Sequence, residues 1–159
     1  MSGAGAPDLR TDATGARVAV VASSWHTEVM DGLIAGAQRA LADANVTDVT
    51  LVRAPGSFEL PILAQAYAKA GFDAVVALGV IIRGGTPHFE YVCAAATDGL
   101  NRVALDTGIP IGFGLLTCDN DQQALDRAGL PDSKEDRGRE AVEAALATRA
   151  LLSAVEDRS

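Results

Sequence analysis

Positive charge is scarce in this sequence: 13 Lys and Arg stand against 21 Asp and Glu, for a formal net charge of −8. A general nucleic-acid binder needs a basic footprint, so the balance argues against that class. An anionic small molecule stays open, because it responds to a few local arginines rather than to the total. Cysteine is nearly absent. Cys93 and Cys118 show neither CxxC nor Cys/His spacing, which points to a reducing compartment and to structural or inert thiols. No apolar run reaches membrane-spanning length, and the opening MSGAGAPDLRTDATG has neither the basic nor the apolar region of a signal peptide. A cytoplasmic protein without membrane contact is therefore expected. The motifs GxxxxGK[ST], GxGxxG opening a helix, GxSxG and HExxH are all missing, which disfavours P-loop, dinucleotide, hydrolase and zinc-protease chemistry. Two separated histidines, His26 and His88, without a ligand cluster argue against a metal site. Aromatic residues make up only 4% of the chain, which leaves a thin core for a monomer. Ala94, Ala95 and Ala96 would suit either helix contact between subunits or an Ala-rich interior.

What is present is an alternation of short β-branched runs with longer Ala-rich segments. The length of 159 residues suits one domain. Residues 1–15, small and Pro/Gly-punctuated, read as a flexible N-terminal arm, and 16–159 as a single domain with regular structure from Val18 onward. Strands are expected at 17–23, 48–54, 72–82 and 110–117, and helices at 28–44, 59–70, 88–106, 122–128 and 135–155. Strands apolar on both faces and helically spaced segments such as Leu33, Ala37, Ala40 and Leu41 indicate a βαβ series. The fold class is α/β, a three-layer αβα sandwich around a four-stranded parallel sheet. Such sheets bind ligands beyond the carboxyl ends of their strands, so the loops after Ser23, Ala54, Ile82 and Thr117 matter most.

Those loops hold unusual residues. After the first strand come Ser24-Trp25-His26, where Trp25 can stack on a flat heterocycle or plug the sheet, and His26 reads as an N-terminal helix residue. After the second comes Pro55-Gly56-Ser57-Phe58-Glu59-Leu60-Pro61. Gly56 permits a tight turn, Ser57 is placed to cap the helix, and Glu59 falls in the first turn that Pro61 rigidifies. The array suits a polyol, although capping alone would explain Ser57 and Glu59. The third strand runs into Gly84-Gly85-Thr86-Pro87 and delivers His88 at a helix start, which reads either as an anion cradle beside a group that moves protons near neutral pH or as an ordinary turn capped by Thr86 with a surface histidine, the geometry favouring the first. The fourth leads to Arg127 and the mixed-charge run DSKEDRGRE, whose charges would ordinarily be solvated, though residue types alone do not choose between that and a site role.

Three segments, PGSFELP at 55–61, ALGVIIRGGTPHFEY at 77–91 and PIGFGLLTCDNDQQALDRAGL at 110–130, closely resemble the 6,7-dimethyl-8-ribityllumazine synthase family over almost the whole chain from Val18. The resemblance implies a flavodoxin-like fold. It implies a transferase condensing 5-amino-6-(D-ribitylamino)uracil with 3,4-dihydroxy-2-butanone 4-phosphate, the penultimate step of riboflavin biosynthesis, with no cofactor and no metal. By likeness, His88 would transfer protons and Trp25 would stack on the pyrimidine. Ser57, Phe58 and Glu59 would hold the ribityl chain, while Val80, Ile81 and Ile82 would offer backbone contacts to the ring. Gly85 and Thr86 would cradle the phosphate. Phe113 and Arg127 would reach in from the adjacent chain of a homopentamer, and Arg137 stands where the family usually has lysine. Trp25-His26 replaces a common Phe-Asn. The span from Arg127 to Arg137 is longer than in shell-forming members, which implies a free pentamer, with a functional link to riboflavin synthase. The alternative is a non-catalytic flavin or lumazine carrier of the same fold.

Overall fold

The computed structural model describes residues 5–158. Four parallel strands, β1 (Arg17–Ser23), β2 (Asp48–Ala54), β3 (Ala74–Ile82) and β4 (Ile111–Cys118), lie in the order β2-β1-β3-β4. Helices α1 (Thr27–Asp43), α2 (Leu60–Lys69), α3 (His88–Thr107), α4 (Asp121–Leu125) and α5 (Arg137–Glu156) complete the three layers expected of the sequence. Register is continuous from Arg17↔Asp48 to Ser23↔Ala54 and from Val75↔Ile111 to Ile82↔Cys118, so all four strands end on one edge.

Alternation along the central strands divides the core. Val18, Val20, Val76 and Leu78 face α1 and α5, while Ala19, Val21, Val75 and Ala77 face α2 and α3. Each Val or Leu fully buried this way contributes about 1.5–3 kcal/mol. Helices α1 and α5 approach so closely that a Cβ on Gly138 would collide with the Leu33 carbonyl. Although β2 reads as apolar on both faces, it is not buried on both. It is an edge strand, and Val49 and Leu51 stay exposed on it.

Boundaries shift modestly. The fourth expected helix, 122–128, ends at Leu125, which leaves Asp126 and Arg127 outside it. The last helix, expected at 135–155, spans Arg137–Glu156. Residues 1–4 of the expected arm lie outside the described residues. Farther on, Ala13 is buried and its N–H donates to the Ala44 carbonyl at 2.8 Å, so fixed packing begins ahead of β1.

Candidate active site

The carboxyl ends of β1, β2 and β3 enclose a cleft of about 800 Å³. Trp25 and His26 line it from the first loop, Ser57, Phe58 and Glu59 from the second, and Val80, Ile81 and Ile82 from the end of β3. Thr86 and His88 complete the wall together with Gly84, and Gly85 sits between them on the same exposed loop. The structure thus brings most of the sequence-derived candidates into one concavity.

The second loop differs from expectation in two respects. Gly56 is extended, at φ −157°, a conformation open to any residue; what its missing side chain allows is close approach. A Cβ there would lie 3.2 Å from Trp25 Nε1 and 3.5 Å from Glu59 Oε1, so the indole and the carboxylate both close over this position. Ser57 does not cap the helix. A 3₁₀ turn at Ser57–Glu59 places Gly56 and Glu59 at the cap positions, and neither makes a side-chain cap bond. The Ser57 hydroxyl is instead buried without a partner, and a Cβ on Gly79 of β3 would lie 2.7 Å from it. A buried unpaired hydroxyl costs about 1–3 kcal/mol, a penalty that a hydrogen-bonding ligand would remove.

His26 also departs from the reading as a helix residue. It precedes α1 in the left-handed region, at φ 59° and ψ 69°, while its carbonyl accepts from Met30 N–H at 2.9 Å. Such backbone in a residue other than glycine costs of order 1–3 kcal/mol and collects at functional sites. At the third loop, α3 begins at His88 behind Pro87, and the His88 N–H reaches Thr86 Oγ1 at a long 3.4 Å. Nothing lies within 4 Å of a Cβ on Gly84 or Gly85, so the loop presents bare backbone to the helix N-terminus.

Phe113, Arg127 and Arg137 do not line this cleft. Phe113 stands exposed on the edge strand β4. Arg127 donates from Nη1 to the Gln123 carbonyl at 2.8 Å, and Arg137 Nε donates to Glu135 Oε2 at 2.8 Å. Glu140 Oε2 lies 3.5 Å from Arg137 Nε yet makes no hydrogen bond, so charge alone pairs them; burial pushes the Glu140 carboxyl up and Arg137 pulls it back. Burial likewise raises the Cys93 and Cys118 thiols, which disfavours the thiolate and suits inert roles.

Sequence reading missed Tyr91, Val92 and Ala95, which line the cleft from α3. Their signal was the spacing of three, four and seven from His88, one face of a helix. Among the described residues, no group of three or more His, Cys, Asp or Glu could hold a metal ion, and no helix is long and apolar enough to cross a membrane.

A parallel α/β sheet whose strand ends carry an exposed indole, an unpartnered hydroxyl, a bare glycine loop and an imidazole defines a small-molecule enzyme of the flavodoxin-like architecture. The family model for 6,7-dimethyl-8-ribityllumazine synthase matches residues 15–153. Proteins of that name are 64% identical over 155 residues in Kineococcus radiotolerans (98% of this chain, 96% of that one) and 66% over 153 residues in Nocardioides sp. (96% and 95%). Another, from Streptomyces coelicolor, is 58% identical over 158 residues (99% and 98%). The chain belongs to the 6,7-dimethyl-8-ribityllumazine synthase family.

Proposed function

We propose that the cleft between Trp25, Ser57 and His88 is the active site for the family's reaction. The chain is a transferase that condenses 5-amino-6-(D-ribitylamino)uracil with 3,4-dihydroxy-2-butanone 4-phosphate to 6,7-dimethyl-8-ribityllumazine, phosphate and water, the penultimate step of riboflavin biosynthesis. The observation that carries the site is the buried, unpartnered Ser57 hydroxyl, in a cleft that an exposed indole and His88 also line. A heterocycle bearing a polyol chain satisfies both groups at once: its ring on Trp25, its chain hydroxyls on Ser57 and Glu59, and its ring edge on the backbone of Val80, Ile81 and Ile82. Phe58 flanks the polyol, and Gly85 and Thr86 take the phosphate at the α3 N-terminus.

The chemistry asks little of a protein nucleophile. The 5-amino group of the pyrimidine attacks the ketone and a first water leaves as the imine forms; phosphate is eliminated, the resulting enol tautomerises to a ketone, and the ribitylamino nitrogen closes the ring on that carbonyl with loss of a second water. Holding two small molecules in register supplies much of the acceleration. His88 shuttles protons during imine formation and phosphate loss, worth roughly 10²–10⁴-fold.

The phosphate half of the site is short of cations in one chain, since Arg127 and Arg137 lie off the cleft. In a homopentamer, Phe113, Arg127 and Arg137 of the adjacent subunit complete it, and the exposed Tyr91, Leu105 and Phe113 supply apolar contact surface. The working unit is this free ring of five, each chain one domain over 16–159 with the arm 1–15 ahead of it. It acts in the cytoplasm and passes its product to riboflavin synthase. Mixing both substrates and following lumazine absorbance tests the reaction. Purified protein that holds stoichiometric flavin yet makes no lumazine would instead establish the carrier.

A further inference from the structure

Arg83 follows the last residue of β3 and precedes Gly84, yet it does not line the cleft that Gly84, Thr86 and His88 line. Its backbone N–H donates to the Cys118 carbonyl at 2.9 Å, carrying the β3–β4 pairing one step past the sheet. Its Nε donates to Asp119 Oδ1 at 2.9 Å, its Nη1 lies 3.6 Å from Glu90 Oε1, and its guanidinium sits 4.5 Å above the Phe89 ring. One side chain therefore spans the end of β4, the start of the glycine loop and the first turn of α3.

Exposed ion pairs of this kind add little to global stability. The loop they fix has no packing of its own, because the spaces beside Gly84 and Gly85 are open. Hydrogen bonding to Asp119 raises the guanidinium further, so its charge persists at any working pH.

We propose that Arg83 is a positioning residue for the anion cradle: by gripping Asp119, Glu90 and Phe89 it fixes the Gly84–Thr86 loop against the first turn of α3. The proposal rests on reading Gly85 and Thr86 as the phosphate site.

The test is steady-state kinetics of the full chain and of Arg83→Gln and Arg83→Lys, varying each substrate separately and adding inorganic phosphate as a competitor. Arg83→Gln should raise KM for the phosphate substrate and the inhibition constant of inorganic phosphate roughly tenfold or more, as expected of a misplaced binding loop. KM for the pyrimidine and the melting temperature should stay near those of the wild type. Arg83→Lys keeps the charge but loses the fork and the ring stack, and should fall between at about threefold; it also serves if the Gln variant does not fold. Equal shifts in both KM values, unchanged phosphate constants, or a Lys variant identical to wild type would overturn the positioning role. If inorganic phosphate fails to compete even in the wild type, the cradle itself is misread and the proposal falls with it. Competition in the wild type that the variants leave intact removes the proposal alone.

Discussion

The backbone N–H of Arg137 donates to the Arg127 carbonyl at 3.1 Å, so the excursion between the two arginines returns to the point it left. Both cations thereby start from one place near the end of β4. Burial outweighs their pull on the Cys118 thiol. If that pair serves the neighbouring subunit, Arg127→Ala should raise KM for the phosphate substrate. Chains carrying Arg127→Ala, mixed with chains carrying His88→Ala and reassembled, should regain activity, because about a quarter of randomly mixed interfaces would carry both intact residues. No recovery on mixing would place the arginine in its own subunit's site or outside the chemistry.

Ser57→Ala separates binding from folding. The hydroxyl is buried and unpartnered, so its removal should leave stability unchanged or raise it by up to about 1 kcal/mol, while KM for the ribityl substrate rises. Denaturant unfolding together with substrate-varied kinetics would detect both effects; a large loss of stability would mean that the hydroxyl has a structural bond.

Gly138→Ala addresses the scaffold. The added methyl meets the Leu33 carbonyl at the α1–α5 contact, and forcing the helices apart should cost about 1–3 kcal/mol. A lower melting temperature with unaltered KM values is the expected pattern.

Glu140 supplies a pH signature. Burial raises its carboxyl in the folded protein, so ionisation is harder folded than unfolded and the charged form weakens the fold. That penalty is fully present above the raised folded pKa and is relieved as pH falls toward the ordinary carboxylate range. Glu140→Gln should therefore melt higher than wild type at neutral pH, with the difference closing on acidification. A variant less stable at neutral pH would show that the Arg137 pairing outweighs burial.

Much of this was legible in the chain. The runs RVAVVAS and DVTLVRA became β1 and β2 at the expected bounds, because β-branched residues there are closed off by Ser, Asp and Pro/Gly turns. His88 opened its helix at the expected residue. Features set by distant partners were not legible. Ser57 looked like a cap because capping is local, whereas its burial depends on Gly79 in another strand. Arg83 drew no notice because its partner Asp119 is 36 positions away. Edge exposure of Val49 and Leu51 follows from strand order, which alternation alone does not encode.

The account turns on His88 as the proton-transfer group in this cleft. The most direct test is the turnover number of His88→Ala with both substrates saturating, read from lumazine absorbance. The account predicts a fall of roughly 10²-fold or more with KM values near those of the wild type. An unchanged turnover number would contradict it.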